Sequence, residues 1–102
     1  MDIHQPKKGE ITVFSKSGCS NCINVKKFLK EKSINFVVVE CDEFILEDKE
    51  AFLQFIKSMA LKECNTFPMI FDGTTFVGGY KETIRYLEKM LDFDLVFRPF
   101  FV

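Results

Sequence analysis

The sequence predicts an α/β fold: one mixed four-stranded sheet with three helices on its two faces, in the order β-α-β-α-β-β-α. Three observations carry this. Two apolar, β-branched runs, at residues 11–14 and 36–39, bracket an amphipathic helical stretch, the pattern of a right-handed parallel crossover. A second helical stripe follows the second run. Asp72-Gly73 then separates two short apolar runs, a strong hairpin signal. The 102 residues suit a single domain, with its core at about residues 10–91 and an apolar tail over 92–102.

Each element has its own justification. Residues 1–9 read as a short loose lead-in, with His4 as a solvated terminal side chain. Residues 11–14 are apolar enough for a central strand. Residues 21–32 form the first helix. Cys22, Val25 and Leu29 share one stripe, and Lys26, Lys27, Lys30 and Lys32 sit outward and toward the C-terminal end, where cations suit the dipole. Ser33-Ile34-Asn35 turns the chain into residues 36–39, read as a buried strand ending at Cys41. Residues 47–61 form the second helix on the stripe Phe52, Phe55, Ile56 and Met59, with Glu47, Asp48 and Glu50 in its first turn. Phe44-Ile45-Leu46 packs ahead of it as a staple-like lead. Pro68 opens the strand 69–71, the return strand covers 75–77, and Gly78-Gly79 breaks the pattern. The third helix, 82–91, turns Ile84, Leu87 and Leu91 inward. In the tail, Phe93, Leu95 and Phe97 alternate with Asp94, Val96 and Arg98, which predicts a segment folded back onto the domain.

Composition narrows the function. An apolar fraction of 47% is that of an ordinary globular chain. A net charge of −1 gives no reason to expect nucleic acid or an anionic membrane as partner, and no apolar run is long enough to span a bilayer. Residues 1–10 are polar and lack the apolar segment of a signal peptide. Four cysteines in such a chain point to catalytic or metal roles rather than a disulfide framework. The expectation is a monomer in a reducing, cytoplasmic setting.

The chemistry concentrates at Cys19-Ser20-Asn21-Cys22. With a strand before it and a helix after it, Cys19 falls at a helix N-terminus facing solvent, and Cys22 falls one turn in, partly buried. Helix N-terminal N–H groups stabilise negative charge, so a cysteine there is favoured as the thiolate. Lys16 adds a nearby cation. A thiolate attacks a disulfide, and a neighbouring thiol can resolve the mixed disulfide that results. Cys19 is therefore the candidate nucleophile and Cys22 the resolver. A lone Cys-x-x-Cys also fits half of a zinc site, but the strand-helix context favours redox chemistry, and no metal is expected. Cys41 reads as a small buried hydrophobe. Cys64, in the loop before Pro68, reads as a structural thiol.

The element order, the Cys-x-x-Cys at the first strand-helix junction, Ser15-Lys16 before it, Thr66-Phe67-Pro68 and Gly78-Gly79 together resemble the glutaredoxin branch of the thioredoxin superfamily. The match covers roughly residues 10–91. It implies a thioredoxin-like fold and a dithiol glutathione-linked oxidoreductase that reduces protein disulfides and glutathione mixed disulfides. It also implies a cis bond at Phe67-Pro68, leaving the Phe67 backbone to pair with an extended peptide or with glutathione. The glutathione contacts it implies are Lys16, Thr66, Phe67, Pro68, Gly78, Gly79, Tyr80 and Glu82. Two departures stand out. Ser20-Asn21 replaces the family's usual Pro-Tyr, and Tyr80-Lys81-Glu82-Thr83 stands where the family often carries aspartates for the amino end of glutathione. Lys81 has the wrong sign for that ammonium, and Glu82 is the substitute. The alternatives are a thioredoxin-like electron donor, for instance to ribonucleotide reductase, and a glutaredoxin holding an iron–sulfur cluster between two subunits.

Overall fold

β1 (Ile11–Ser15) lies inside the sheet, with a strand on each side. It pairs in parallel with β2 (Phe36–Glu40) and antiparallel with β3 (Met69–Asp72), and β3 pairs antiparallel with β4 (Thr75–Gly78). The sheet order is β2-β1-β3-β4. The helices are α1 (Ser20–Glu31), α2 (Asp42–Ala60) and α3 (Tyr80–Phe97). This computed structural model describes residues 3–97. The element order and the mixed sheet are those the sequence predicts.

The period of two along β1 divides the core. Val13 joins Val25, Leu29, Ile70 and Leu87 on the face covered by α1 and α3. Phe14 joins Phe52, Ile56, Met69 and Phe71 on the face covered by α2. Aromatic rings fill the second face: Phe14 meets Phe71 edge-on at 5.7 Å, and Phe71 meets Phe76 at 5.2 Å.

Several expectations are corrected. β2 is an edge strand rather than a buried one: Val38 is 37% exposed and Val39 alone is buried. An apolar β-branched run has the same appearance at either place, and among the described residues β1 is its sole strand partner. α2 begins at Asp42 rather than at residue 47. It is broken at Asp48, whose φ of −161° and ψ of 91° lie outside the helical region. The Asp48 carboxylate accepts from the Ala51 N–H at 3.0 Å and so caps the segment that follows. The Phe44-Ile45-Leu46 lead is itself helical; Phe44 stacks on Phe52 while Leu46 projects into solvent. α3 opens earlier than expected, at Tyr80, because Glu82 Oε1 accepts from the Gly79 N–H at 2.9 Å, half of a capping box.

The α3 backbone also continues past residue 91 to Phe97, so the alternation over 93–97 lies on a helix and not on an extended segment. Residues 98–102 and the docking expected of the tail lie outside the described residues. The lead-in is anchored rather than loose. Ile3 is buried against the α2 face, His4 Nε2 meets Glu10 Oε1 at 2.8 Å, and Gly73 N–H donates to the Glu10 carbonyl at 2.8 Å. Among the described residues no helix is long and apolar enough to cross a membrane.

The kink in α2 gives a direct test. Asp48→Ala removes the cap and should cost about 1 kcal/mol, lowering the melting temperature by roughly 4–8 °C, while Asp48→Asn should retain most of the stability. Thermal denaturation of the two variants measures this; an Asp48→Ala protein as stable as the parent would contradict the capping role.

Candidate active site

The site begins where β1 ends. The chain leaves Ser15, turns through Gly18 at a φ of +68°, and enters α1. That left-handed conformation favours glycine. The turn is pinned from outside. Asp42 accepts from the Ser17 backbone N–H and from the Ser17 hydroxyl, each at 3.0 Å. These two bonds hold the Asp42 carboxyl below the usual carboxylate range.

Cys19 is the N-cap of α1, with an extended backbone at φ −109° and ψ 105°. Its sulfur does what a serine or aspartate oxygen does at this position: it accepts from the Cys22 N–H, at 3.2 Å. The Cys19 thiol is also 3.6 Å from the Phe67 carbonyl, to which it donates. Cys19 is partly exposed, whereas Cys22 is wholly buried, deeper than expected, on the stripe with Val25 and Leu29. Burial, with the side-chain contact to Cys19 second, pushes the Cys22 thiol above its ordinary value.

The wall opposite Cys19 is built from the loop before β3. The Phe67-Pro68 bond is cis, as expected. The Phe67 ring lies on a stack: Phe67 on Phe52 at 6.1 Å and 8° between planes, and Phe52 on Phe44 at 6.2 Å and 7°. Lys16 Nζ caps this column from outside, 5.5 Å from the Phe67 ring centre. The structure thus places Lys16 against the ring of Phe67.

Thr66, Pro68, Gly78, Gly79 and Glu82 line one cavity of about 190 Å³, with Lys62 and Cys64 at its edge. Lys16 and Phe67 line a second cavity, of about 250 Å³, on the other side of the same loop. Tyr80 lines neither and packs instead toward the Val13 and Leu87 core. Gly78 has a φ of +132°, and a Cβ there would come within 2.8 Å of Glu82 Cβ. At Gly79 a Cβ would fall 3.2 Å from Glu82 Oε1 and 3.6 Å from the Pro68 carbonyl. The close approach these glycines permit is therefore made first to Glu82 and Pro68 of this chain. Lys81 is exposed.

Cys41 is fully buried, as a small hydrophobe would be, and burial pushes its thiol up to about 12. Cys64 is also buried and likewise raised by burial. The sequence reasoning did not find Asp42, Phe44 or Phe52 as supports of the site. Asp42 had one local signal, an acid at a helix start, but its partner lies on another loop.

A partly exposed thiol capping a helix, a buried second thiol one turn in and a cis-proline loop facing them define a thioredoxin-like protein with a vicinal thiol pair. Comparison with known sequences narrows the class. A sequence model of the glutaredoxin family matches residues 11–77, and the chain belongs to that family. It is 36% identical over 75 residues to human mitochondrial glutaredoxin-2, covering 74% of this chain and 43% of the human protein. It is also 36% identical over 87 residues to glutaredoxin 1 of Rickettsia typhi, covering 80% of this chain and 79% of that one. The chain therefore spans less than half the length of the mammalian relatives. Glutaredoxin 1 of Francisella tularensis shares the fold, with a TM-score of 0.70 at 21% identity over 81% of this chain and 96% of that one. Poplar glutaredoxin C1 in its holo form gives 0.63 at 28% identity, over 78% of this chain and 74% of that one. The cytoplasmic expectation does not stand. The matched mammalian proteins are mitochondrial by name and the Rickettsia relatives are bacterial. Cysteine usage that suits a reducing compartment suits every reducing compartment, and it carried no information that favours the cytoplasm.

The Ser17–Asp42 contact predicts a pH signature. A carboxyl lowered on folding contributes stability that is full above its unfolded-state value and lost as pH falls through the folded value. Asp42→Asn should therefore be less stable than the parent near neutrality, and the gap should close as acid protonates Asp42. Urea midpoints measured across the acid range check this; a gap independent of pH would contradict it.

Proposed function

We propose that the protein is a thiol–disulfide oxidoreductase, with Cys19 as nucleophile, Cys22 as resolving thiol and glutathione as reductant. The observation that carries the reading is the Cys22 N–H donated to the Cys19 sulfur, with Cys19 partly exposed and Cys22 buried behind it. Membership of a family that works with glutathione and disulfide substrates supports it.

The chemistry follows in balanced steps. The Cys19 thiolate attacks one sulfur of a substrate disulfide; a new S–S bond to Cys19 forms, the substrate S–S bond breaks, and the leaving thiolate takes a proton from solvent. If the substrate is a protein disulfide, Cys22 gives up its proton and attacks the Cys19 sulfur. The second substrate thiolate leaves and Cys19 and Cys22 become a disulfide, which two glutathione thiols reduce while becoming glutathione disulfide. If Cys19 instead carries glutathione, a second glutathione thiolate attacks that sulfur, releasing Cys19 and glutathione disulfide. Cys22 is not needed on this route. A thiol raised by burial stays protonated and idle until Cys19 has reacted, which suits a resolver.

Glutathione, in this reading, extends along Thr66, Phe67 and Pro68, with the Phe67 backbone pairing to it and Lys16 facing a carboxylate. Gly78, Gly79 and Glu82 bound its amino end, while Tyr80, packed toward the core, takes no part. The cavity that joins Thr66, Pro68, Gly78, Gly79 and Glu82 supports this. Glu82 Oε1 already accepts from Gly79, so Glu82 would meet the ammonium with a carboxylate that is fixed in place.

A glutathione-coupled disulfide assay tests the reading. Cys19→Ser should abolish turnover of every substrate. Cys22→Ser should keep turnover of glutathione mixed disulfides and lose most of it on protein disulfides. Equal losses in both variants on both substrates would contradict the division of roles.

A further inference from the structure

The second cavity beside the nucleophile is not used by the reading above, apart from Lys16 and Phe67. It lies at the break in α2: Leu46 precedes the non-helical Asp48, and Lys49 and Leu53 follow it, with Asn65, Phe67 and Lys16 on the facing side. Phe67 connects it to the chemistry, since the Phe67 carbonyl is 3.6 Å from the Cys19 sulfur. Leu46, which lines this groove, is 86% exposed. The groove also carries a charge bias. It presents the cations Lys16 and Lys49, and its single carboxylate, Asp42, is taken up by the two hydrogen bonds from Ser17.

We propose that this groove docks the polypeptide flanking a substrate disulfide, and that it selects segments in which an acidic and an apolar side chain lie next to the cysteine. The proposal rests on the oxidoreductase reading and assigns its protein-substrate specificity to the face formed by the α2 break. The volume of about 250 Å³ takes one or two side chains rather than a whole folded element. The apolar side chain covers Leu46 and Leu53, removing their surface from water. The acidic one faces Lys49, and Lys16 where glutathione does not occupy it. Asn65 offers an amide to the peptide backbone. Because the lysines are solvent-exposed, the charge selection is modest and weakens as salt rises.

Two glutathionylated peptides with one cysteine each, flanked by Asp-Leu in one and Lys-Ser in the other, test this. The parent protein should favour the Asp-Leu peptide in kcat/KM by about threefold to fivefold, the range an exposed charge pair supports. Lys49→Glu should bring the ratio to one or invert it. Lys27→Glu, the same charge change on the exposed face of α1, should leave the ratio as it is. A ratio of one in the parent, or an unchanged ratio in Lys49→Glu, overturns the proposal. Bis(2-hydroxyethyl) disulfide is assayed in parallel, and failure of the parent to turn it over would overturn the oxidoreductase reading instead. In that event fluorescence anisotropy with labelled Asp-Leu and Lys-Ser peptides, serine replacing their cysteine, decides the groove. Tighter binding of Asp-Leu that Lys49→Glu removes supports it, and equal binding overturns it.

Discussion

The first turn of α1 has N–H groups that no carbonyl of the helix can satisfy, and the sulfur of Cys19 takes one of them, from Cys22. Much of the site depends on that bond. It fixes the proposed nucleophile at the positive end of the helix dipole. It fixes the spacing too, since the donor belongs to the residue whose own thiol is the proposed resolver. Burying Cys22 on the Val25 and Leu29 stripe anchors the helix to the sheet and at the same time hides the second thiol from solvent. Stability and chemical order thus come from one packing decision.

Two supports keep the cap in place. Asp42, at the start of α2, holds Ser17 through backbone and hydroxyl, so the turn into α1 is tied to the neighbouring helix as well as to its own strand. The Phe44, Phe52 and Phe67 stack runs from α2 to the cis-proline loop and holds the wall that faces Cys19. Phe52 is fully buried in the middle of it. The exposed end of the stack carries Lys16. α2 therefore acts as the fulcrum of the site while contributing no reacting atom. Its break at Asp48 lets the segment before the break face the Ser17 turn while the segment after it packs Phe52 and Ile56 on the sheet.

The local patterns carried the topology. The run 11–14, the Cys22, Val25 and Leu29 stripe and Asp72-Gly73 each specify an element by short-range rules, and all three appear where those rules put them. What was not legible depends on neighbours distant in sequence. The run 36–39 reads as buried because its composition is that of a central strand, but its place at the edge follows from strand order. Ser17 and Asp42 are 25 residues apart, and nothing local pairs them. Asp48 is different: as an aspartate three residues before its partner N–H it carried a cap signal, which competed with a continuous helical stripe. Over 93–97 an alternating pattern and a helical one both fitted, and the helix continued. Of the candidate site residues, the thiol pair and the cis proline were readable as motifs. The stack beneath Phe67 was not, because ring-on-ring geometry has no sequence period.

The central claim is that the fold exposes one reactive thiol and keeps the other three in reserve, two by burial alone and one behind the helix cap. Limiting iodoacetamide on the native, fully reduced protein, followed by peptide mapping, tests it most directly. The account predicts carbamidomethylation at Cys19 first, with Cys22, Cys41 and Cys64 modified only after denaturation. Modification of Cys22, Cys41 or Cys64 in the folded protein as fast as Cys19 would contradict it.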